Sequence, residues 1–148
     1  MKMNSSTDYA VRIILYLAKK TKPISSSELI QYLSLSKRYL HQIIAKLRQG
    51  GLVGTSMGYY GGYSLIVSPD RISLRRIIEI MEKSTRFFPR ASFEDITIDL
   101  QLTPDSVYGA LQSLWDTLLC KITIEYMISS SVTDIQVFLK SIVLGLYL

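Results

Sequence analysis

The sequence predicts a mainly α fold with a small β-wing: a winged helix-turn-helix domain followed by a long C-terminal dimerisation helix. Three observations carry this reading. Two apolar-faced helical patterns lie between Ser25 and Gln49, separated only by Ser34-Leu35 and a fresh cap at Ser36. Two short strand-like runs follow, joined by the glycine-rich tip Gly58-Tyr59-Tyr60-Gly61-Gly62. From Thr103 onward runs the longest helical pattern in the chain, broad in its apolar face.

Taken in order, Ser5, Ser6 and Thr7 offer N-cap oxygens ahead of a helix in which Tyr9, Ala10, Ile13, Ile14, Leu17 and Ala18 recur at helical spacing. Lys19, Lys20 and Lys22 suit the negative end of its dipole, and Pro23 forbids continuation. Ile24 reads as a one- or two-residue strand. Ser25 and Glu28 have the spacing of a capping box and open a two-turn helix with Leu29, Ile30 and Leu33 inside. Leu35 in the turn plugs the core. The next helix has the stripe Leu40, Ile43, Ile44 and Leu47, leaving Lys37, Arg38, His41, Gln42, Ala45 and Gln49 outward.

Gly50-Gly51 closes that helix. Leu52-Val53 and Tyr63-Leu65-Val67 carry strand patterning, with the clearer alternation in the second, around a tip of about eight residues. Ser73 caps a helix whose Leu74, Ile77, Ile78 and Met81 face inward. Residues 84–103 show no period, although Phe87, Phe88 and Phe93 are too apolar for a solvated linker. Thr103, Pro104 and Asp105 begin the long helix, placed at about 104–121, with Val107, Leu111, Leu114, Trp115, Leu118 and Leu119 on one face. So apolar a helix, after a complete winged-helix domain, needs a partner surface, and a second copy of the chain supplies one. A short helix over 123–128, a polar break at SSSVTD and an apolar amphipath from Ile135 to Leu148 complete the chain. The domain reading is therefore 1–83 for the winged helix and 84–148 for dimerisation and effector response.

Composition narrows the function. Apolar residues at 48% and charged residues at 20% supply a real core. The formal charge of +5 is unevenly spread: residues 1–83 carry a net +8 and residues 84–148 a net −3. A basic front and an acidic back suggest one nucleic-acid face and a second part with another task. Cys120 is the sole cysteine, so an intramolecular disulfide is excluded. No segment approaches the ~20 apolar residues of a membrane span, and the N-terminal apolar run is too interrupted for a signal peptide, so the cytoplasm is expected. Catalysis finds no support. Glu94-Asp95 is the tightest acidic pair, but no base or nucleophile accompanies it, and P-loop, GxGxxG, HExxH and paired CxxC motifs are absent.

The expected function is sequence-specific binding of double-stranded DNA by a homodimer on a palindromic operator. Ser36, Lys37, Arg38, His41, Gln42 and Lys46 on the second helix are the base- and phosphate-contacting candidates, because long donors there reach groove edges. Gly58, Tyr59, Tyr60 and Gly61 are the wing candidates, while Tyr63 is expected to face the core. The wing has no Lys or Arg between Arg48 and Arg71, which leaves specificity mainly to the helix. Val107, Leu111, Leu114, Trp115 and Leu118 are the dimerisation candidates. Cys120 reads as a small buried hydrophobe ahead of a redox sensor, and Trp115 with the phenylalanines as core ahead of an effector pocket. The alternative function is a winged-helix protein-interaction module without specific DNA binding.

Several runs together resemble the Rrf2 family of bacterial winged-helix transcriptional regulators. They are Met1-Lys2, Thr7-Asp8-Tyr9-Ala10-Val11-Arg12 and Leu17-Ala18, then Ser34-Leu35-Ser36 with Tyr39-Leu40. The run from Ile44 to Val53, the wing residues Gly58 and Gly61-Gly62-Tyr63-Ser64-Leu65, and Ile72-Ser73-Leu74 complete the match over about residues 1–83. The resemblance implies the role of transcriptional repressor, and that Tyr9 and Tyr39 orient phosphate contacts. Cluster-binding members carry three cysteines between the fourth helix and the dimerisation helix, whereas residues 83–103 here hold neither Cys nor His. Thiolates hold such clusters, so no family-type iron–sulfur site and no other cofactor is expected. The resemblance is to the non-cluster branch, of the cysteine-metabolism repressor type, with a small molecule, redox change or protein partner as its signal.

Overall fold

A computed structural model describes residues 3–88 and 103–145. Phe93, the Glu94-Asp95 pair, Met1-Lys2 and the last three residues lie outside that range. Helix α1 (Ser5–Ala18) starts earlier than the hydroxyl run suggests. Ser5, Ser6 and Thr7 are its first helical residues, and Asn4 is the N-cap without a side-chain cap. Thr7 is instead buried inside the fold. Helix α2 (Ser26–Leu33) is capped by Ser25, whose Oγ accepts from Glu28 N. Glu28 does not return the bond as a capping box requires. Its carboxylate accepts from the Tyr16 hydroxyl at 2.7 Å and lies 3.8 Å from Lys20 Nζ. The accepted hydrogen bond chiefly holds the Tyr16 hydroxyl above its usual titration range.

Ser34, with φ of 53°, makes the turn, Leu35 enters the core and Ser36 Oγ accepts from Tyr39 N to open α3 (Lys37–Gln49). Ser34 adopts the left-handed region that ends helices, so α2 cannot run on into α3. At the other end Leu52 N reaches back to Leu47 O at 3.0 Å across Gly51, whose φ of 71° glycine adopts without strain.

Strands β1 (Val53–Ser56) and β2 (Gly62–Leu65) pair antiparallel, with Val53 opposite Leu65 and Ser56 opposite Gly62. The connection is therefore the five residues 57–61, shorter than expected, because Thr55-Ser56 and Gly62 pair despite being polar or glycine. Nor does β2 alternate in burial, since all four of its residues are half-buried. Ile24 joins the sheet edge through a bridge to Tyr63, with N–H···O bonds of 2.9 and 2.8 Å. A 3-10 turn (Pro69–Arg71) leads to α4 (Leu74–Glu82), capped by Ser73.

The long helix α5 (Pro104–Lys121) begins with a reciprocal Thr103–Ser106 capping box. After it come α6 (Ile124–Ser129), capped by Thr123, and α7 (Val132–Gly145). The polar break shrinks to Ser130-Ser131, because Ser131 and Asp134 cap each other and draw 132–134 into the helix. The Ser131 N–H, and after it the Ser131 hydroxyl, both donate to the Asp134 carboxylate at 2.8 Å and hold it below its ordinary range.

One core unites α1 to α4 with α6. Ala10, Ile13, Leu29, Leu40, Leu47, Leu52, Ile72, Ile77 and Ile124 are all fully buried in it. Each of these leucine and isoleucine side chains contributes about 1.5–3 kcal/mol relative to exposure. Ile124 arrives from beyond α5 and is fastened by Ile124 N to Ile72 O and Leu74 N to Ile122 O. Among the described residues no helix is long and apolar enough to cross a membrane.

Candidate nucleic-acid interface

The buried stripe of α3 determines what its other face can do. Leu40, Ile43, Ile44 and Leu47 are each no more than 3% exposed, so the intervening positions must point away from the core. Lys37, Arg38, His41, Gln42 and Ala45 line one open surface over the first two turns. Among the described residues no carboxylate lies within ion-pair distance of Lys37 or Arg38. A helix face with long donors, no acids and a small Ala45 between them can approach the floor of a major groove.

Alongside lies a groove of about 580 Å³ between the start of α1 and α3, lined by Ser5, Ser6, Tyr39, Gln42 and Lys46 among others. Tyr39 is half-buried and meets Tyr9 edge-on, with ring centroids 5.9 Å apart. Lys46 Nζ donates to Met81 O at 3.3 Å, so this ammonium is tethered to the end of α4. Ser36 serves as the α3 cap. Lys37, Arg38, His41 and Gln42 thus share one face, while Tyr39 and Lys46 line the neighbouring groove, which Gln42 also borders. Met57, Gly58, Tyr59 and Tyr60 stand separately, exposed on the hairpin tip, and Tyr63 packs against the core.

Sequence reasoning missed the residue that ties the start of α1 to the end of α4. The Glu82 carboxylate accepts from Asn4 N at 2.9 Å, from Asn4 Nδ2 at 2.7 Å and from the Thr7 hydroxyl. It occupies the positive end of the α1 dipole, the place an N-cap side chain would otherwise fill. The Thr7 hydroxyl, ahead of the Asn4 bonds, holds the Glu82 carboxyl below its ordinary 4.5, against the opposing effect of burial. No local signal marks this contact, because Glu82 is 78 residues from Asn4 in the chain.

Behind the reader, α5 keeps much of its apolar face uncovered. Leu119 is the buried residue of that helix. Val107, Leu114, Trp115 and Leu118 are half-buried, and Leu111 is 40% exposed. Gln112 gathers the preceding segment: its Oε1 accepts from Phe87 N and Phe88 N, its Nε2 donates to Thr85 O, and Thr85 Oγ1 donates to Asp116. Phe87 packs on Trp115 and Phe88 stacks on Tyr108, but Phe87 remains 43% exposed, so this is a surface cluster rather than core. Cys120 is exposed, contrary to the expected burial, because it lies on the α5 face turned toward solvent, 3.6 Å from Arg75 Nη1. Arg75 also bonds Glu79, and these partners raise its pKa further.

The family model Rrf2, described as "Iron-dependent Transcriptional regulator", matches residues 3–130. The chain belongs to the Rrf2 family. Among Rrf2 relatives, the HTH-type transcriptional regulator CymR of Bacillus subtilis is 39% identical over 84 residues, which are 55% of this chain and 61% of CymR. IscR of Aliivibrio salmonicida is 34% identical over 86 residues, 57% of this chain and 51% of IscR. These matches thus span about half to three fifths of the curated relatives' lengths. The solved structure of B. subtilis CymR, the global cysteine regulator of that organism, superposes with a TM-score of 0.72 at 29% identity, covering 88% of this chain and 98% of that one. T. potens IscR follows at 0.67 and 26%, covering 86% of each chain. The family and these relatives are transcriptional regulators rather than enzymes.

The family's iron does not fit this chain's donors. The chain has one cysteine and one histidine, Cys120 on α5 and His41 on α3. Among the described residues no group of three His, Cys, Asp or Glu could hold a metal ion. An iron–sulfur cluster needs several thiolates, which one chain of this sequence cannot provide.

Proposed function

We propose that this Rrf2 protein is a cytoplasmic, sequence-specific DNA-binding transcriptional repressor that acts as a homodimer on an imperfect palindrome. The observation that carries the reading is the acid-free face of Lys37, Arg38, His41 and Gln42 above a fully buried stripe on α3. Residues 1–83 read the DNA. Residues 84–148 form the dimer through α5, whose half-buried Val107, Leu114, Trp115 and Leu118 and exposed Leu111 gain cover from a second copy. Ser36, Lys37, Arg38, His41 and Gln42 meet bases and phosphates, Lys46 and Tyr39 flank the backbone, and Gly58, Tyr59, Tyr60 and Gly61 enter from the wing. No cofactor is resident. The signal is a small molecule, a redox change or a protein partner acting on the 84–148 region.

Selection of bound duplexes from a random pool, followed by sizing of the complex, tests this. The enriched sequence is expected to be two-fold symmetric, with half-site centres about 10 bp or a multiple apart and two chains per duplex. An asymmetric site holding a single chain would remove the dimer from the account.

A further inference from the structure

The wing tip has a chemistry of its own. Met57, Tyr59 and Tyr60 are 94%, 95% and 86% exposed, and the two tyrosine rings meet edge-on with centroids 5.0 Å apart. No Lys or Arg lies anywhere between Arg48 and Arg71. Three large, mostly apolar side chains thus project together into water, where their covering by a partner is favourable.

The tip that holds them is tightly built. Gly61 N donates to Gly58 O at 3.0 Å, and Gly58 has φ of 106°. A Cβ on Gly61 would lie 2.4 Å from Ser56 O, and one on Gly62 would lie 2.4 Å from Ile24 O. The tip therefore closes on backbone contacts that leave no room for side chains at its base. The paired strands and the Ile24–Tyr63 bridge fix it to the core.

A cationic wing is drawn into a narrow minor groove by the groove's negative potential. This wing lacks the charge for that. Apolar side chains on a rigid tip act differently in a minor groove: they slip between base steps, partly unstack them and kink the duplex toward the major groove. Such a kink opens the minor groove under the tip and bends the duplex away from it.

We infer that Met57, Tyr59 and Tyr60 form an apolar wedge that enters the minor groove flanking each half-site and kinks the DNA there. The inference rests on the DNA-reading function proposed above. Pyrimidine–purine steps, which unstack most easily, are the favoured bases under the tip. The wedge adds affinity without counterion release, because it neutralises no phosphate.

The test uses the full chain on its selected operator, with a donor–acceptor pair at the duplex ends and 2-aminopurine at the flanking step. Wild type is expected to raise both energy transfer and 2-aminopurine emission. The triple variant Met57→Ser, Tyr59→Ser, Tyr60→Ser loses both signals and binds about ten- to a hundredfold more weakly, with an unchanged salt slope. Its three sites are solvent-facing, and an unchanged thermal melt verifies the fold. The double variant Tyr59→Phe, Tyr60→Phe keeps both signals, because the rings and not the hydroxyls form the wedge. Operator binding without a bend, or a bend that survives the triple variant, overturns the wedge alone and leaves the tip to a protein partner. A chain that binds no duplex overturns the DNA reader as well.

Discussion

Replacing Arg38 and His41 together with alanine reduces operator affinity to the level of random-sequence duplex. Both side chains are exposed in the first turns of α3, either side of the fully buried Leu40 that pins the helix to the core. That pinning fixes the outward face relative to the core. A good two-point contact to a base edge discriminates by about 1–3 kcal/mol, so losing two such residues costs roughly two to four powers of ten. Because neither residue supports the core, the melting temperature and the dimer mass stay as in wild type. Arg38→Lys separates charge from geometry: it keeps the phosphate attraction but not the planar fork, so affinity for random duplex persists while specificity falls. Titration of fluorescent operator and scrambled duplexes reads both quantities. Wild-type affinity in the double variant would place base reading elsewhere.

Glu82→Ala lowers stability by about 2 kcal/mol through the loss of charge-assisted hydrogen bonds and the orphaning of the buried Thr7 hydroxyl. For a chain of this length that corresponds to a fall of roughly 5 °C in thermal midpoint. The same contact has a pH signature. The Glu82 carboxyl titrates below its ordinary 4.5 in the folded protein. Its contribution is therefore complete above 4.5 and is lost as pH falls through the lowered value. Glu82→Gln retains an acceptor oxygen without the charge. It is less stable than wild type at pH 7, and the gap closes as the pH is lowered toward 3. Denaturant unfolding of both proteins across that range measures the effect. A gap that stays constant with pH would mean the carboxylate charge contributes nothing.

Helix α3 was legible because its determinants are local: a serine cap, a 3.6-residue apolar period and a glycine stop lie within sixteen consecutive residues, 36–51. Thr103, Pro104 and Asp105 made the start of α5 legible for the same reason. The start of α1 was not. Its three hydroxyl residues look like caps, and the true seat, Glu82, comes from the far end of the domain. The tip of the hairpin reads too long because polar Thr55-Ser56 pair with Tyr63 and Gly62 through backbone groups, to which side-chain pattern is blind. Cys120 looked buried beside Leu118 and Leu119, but on a helix only Leu119 of the three faces the core. Residues 84–88 show no period because Gln112 satisfies their backbone from another helix. The geometry of the candidate site was thus readable where it sits on one helix, and unreadable where it depends on contacts across the fold.

The central claim is that the basic face of α3 reads DNA, and the salt dependence of operator binding tests it most directly. The account predicts that log K falls linearly with log salt, at a slope near −0.9 for each phosphate neutralised, and that Lys37→Ala makes the slope shallower by about one such contact. Duplex affinity that is absent, or that does not change with salt, would contradict it.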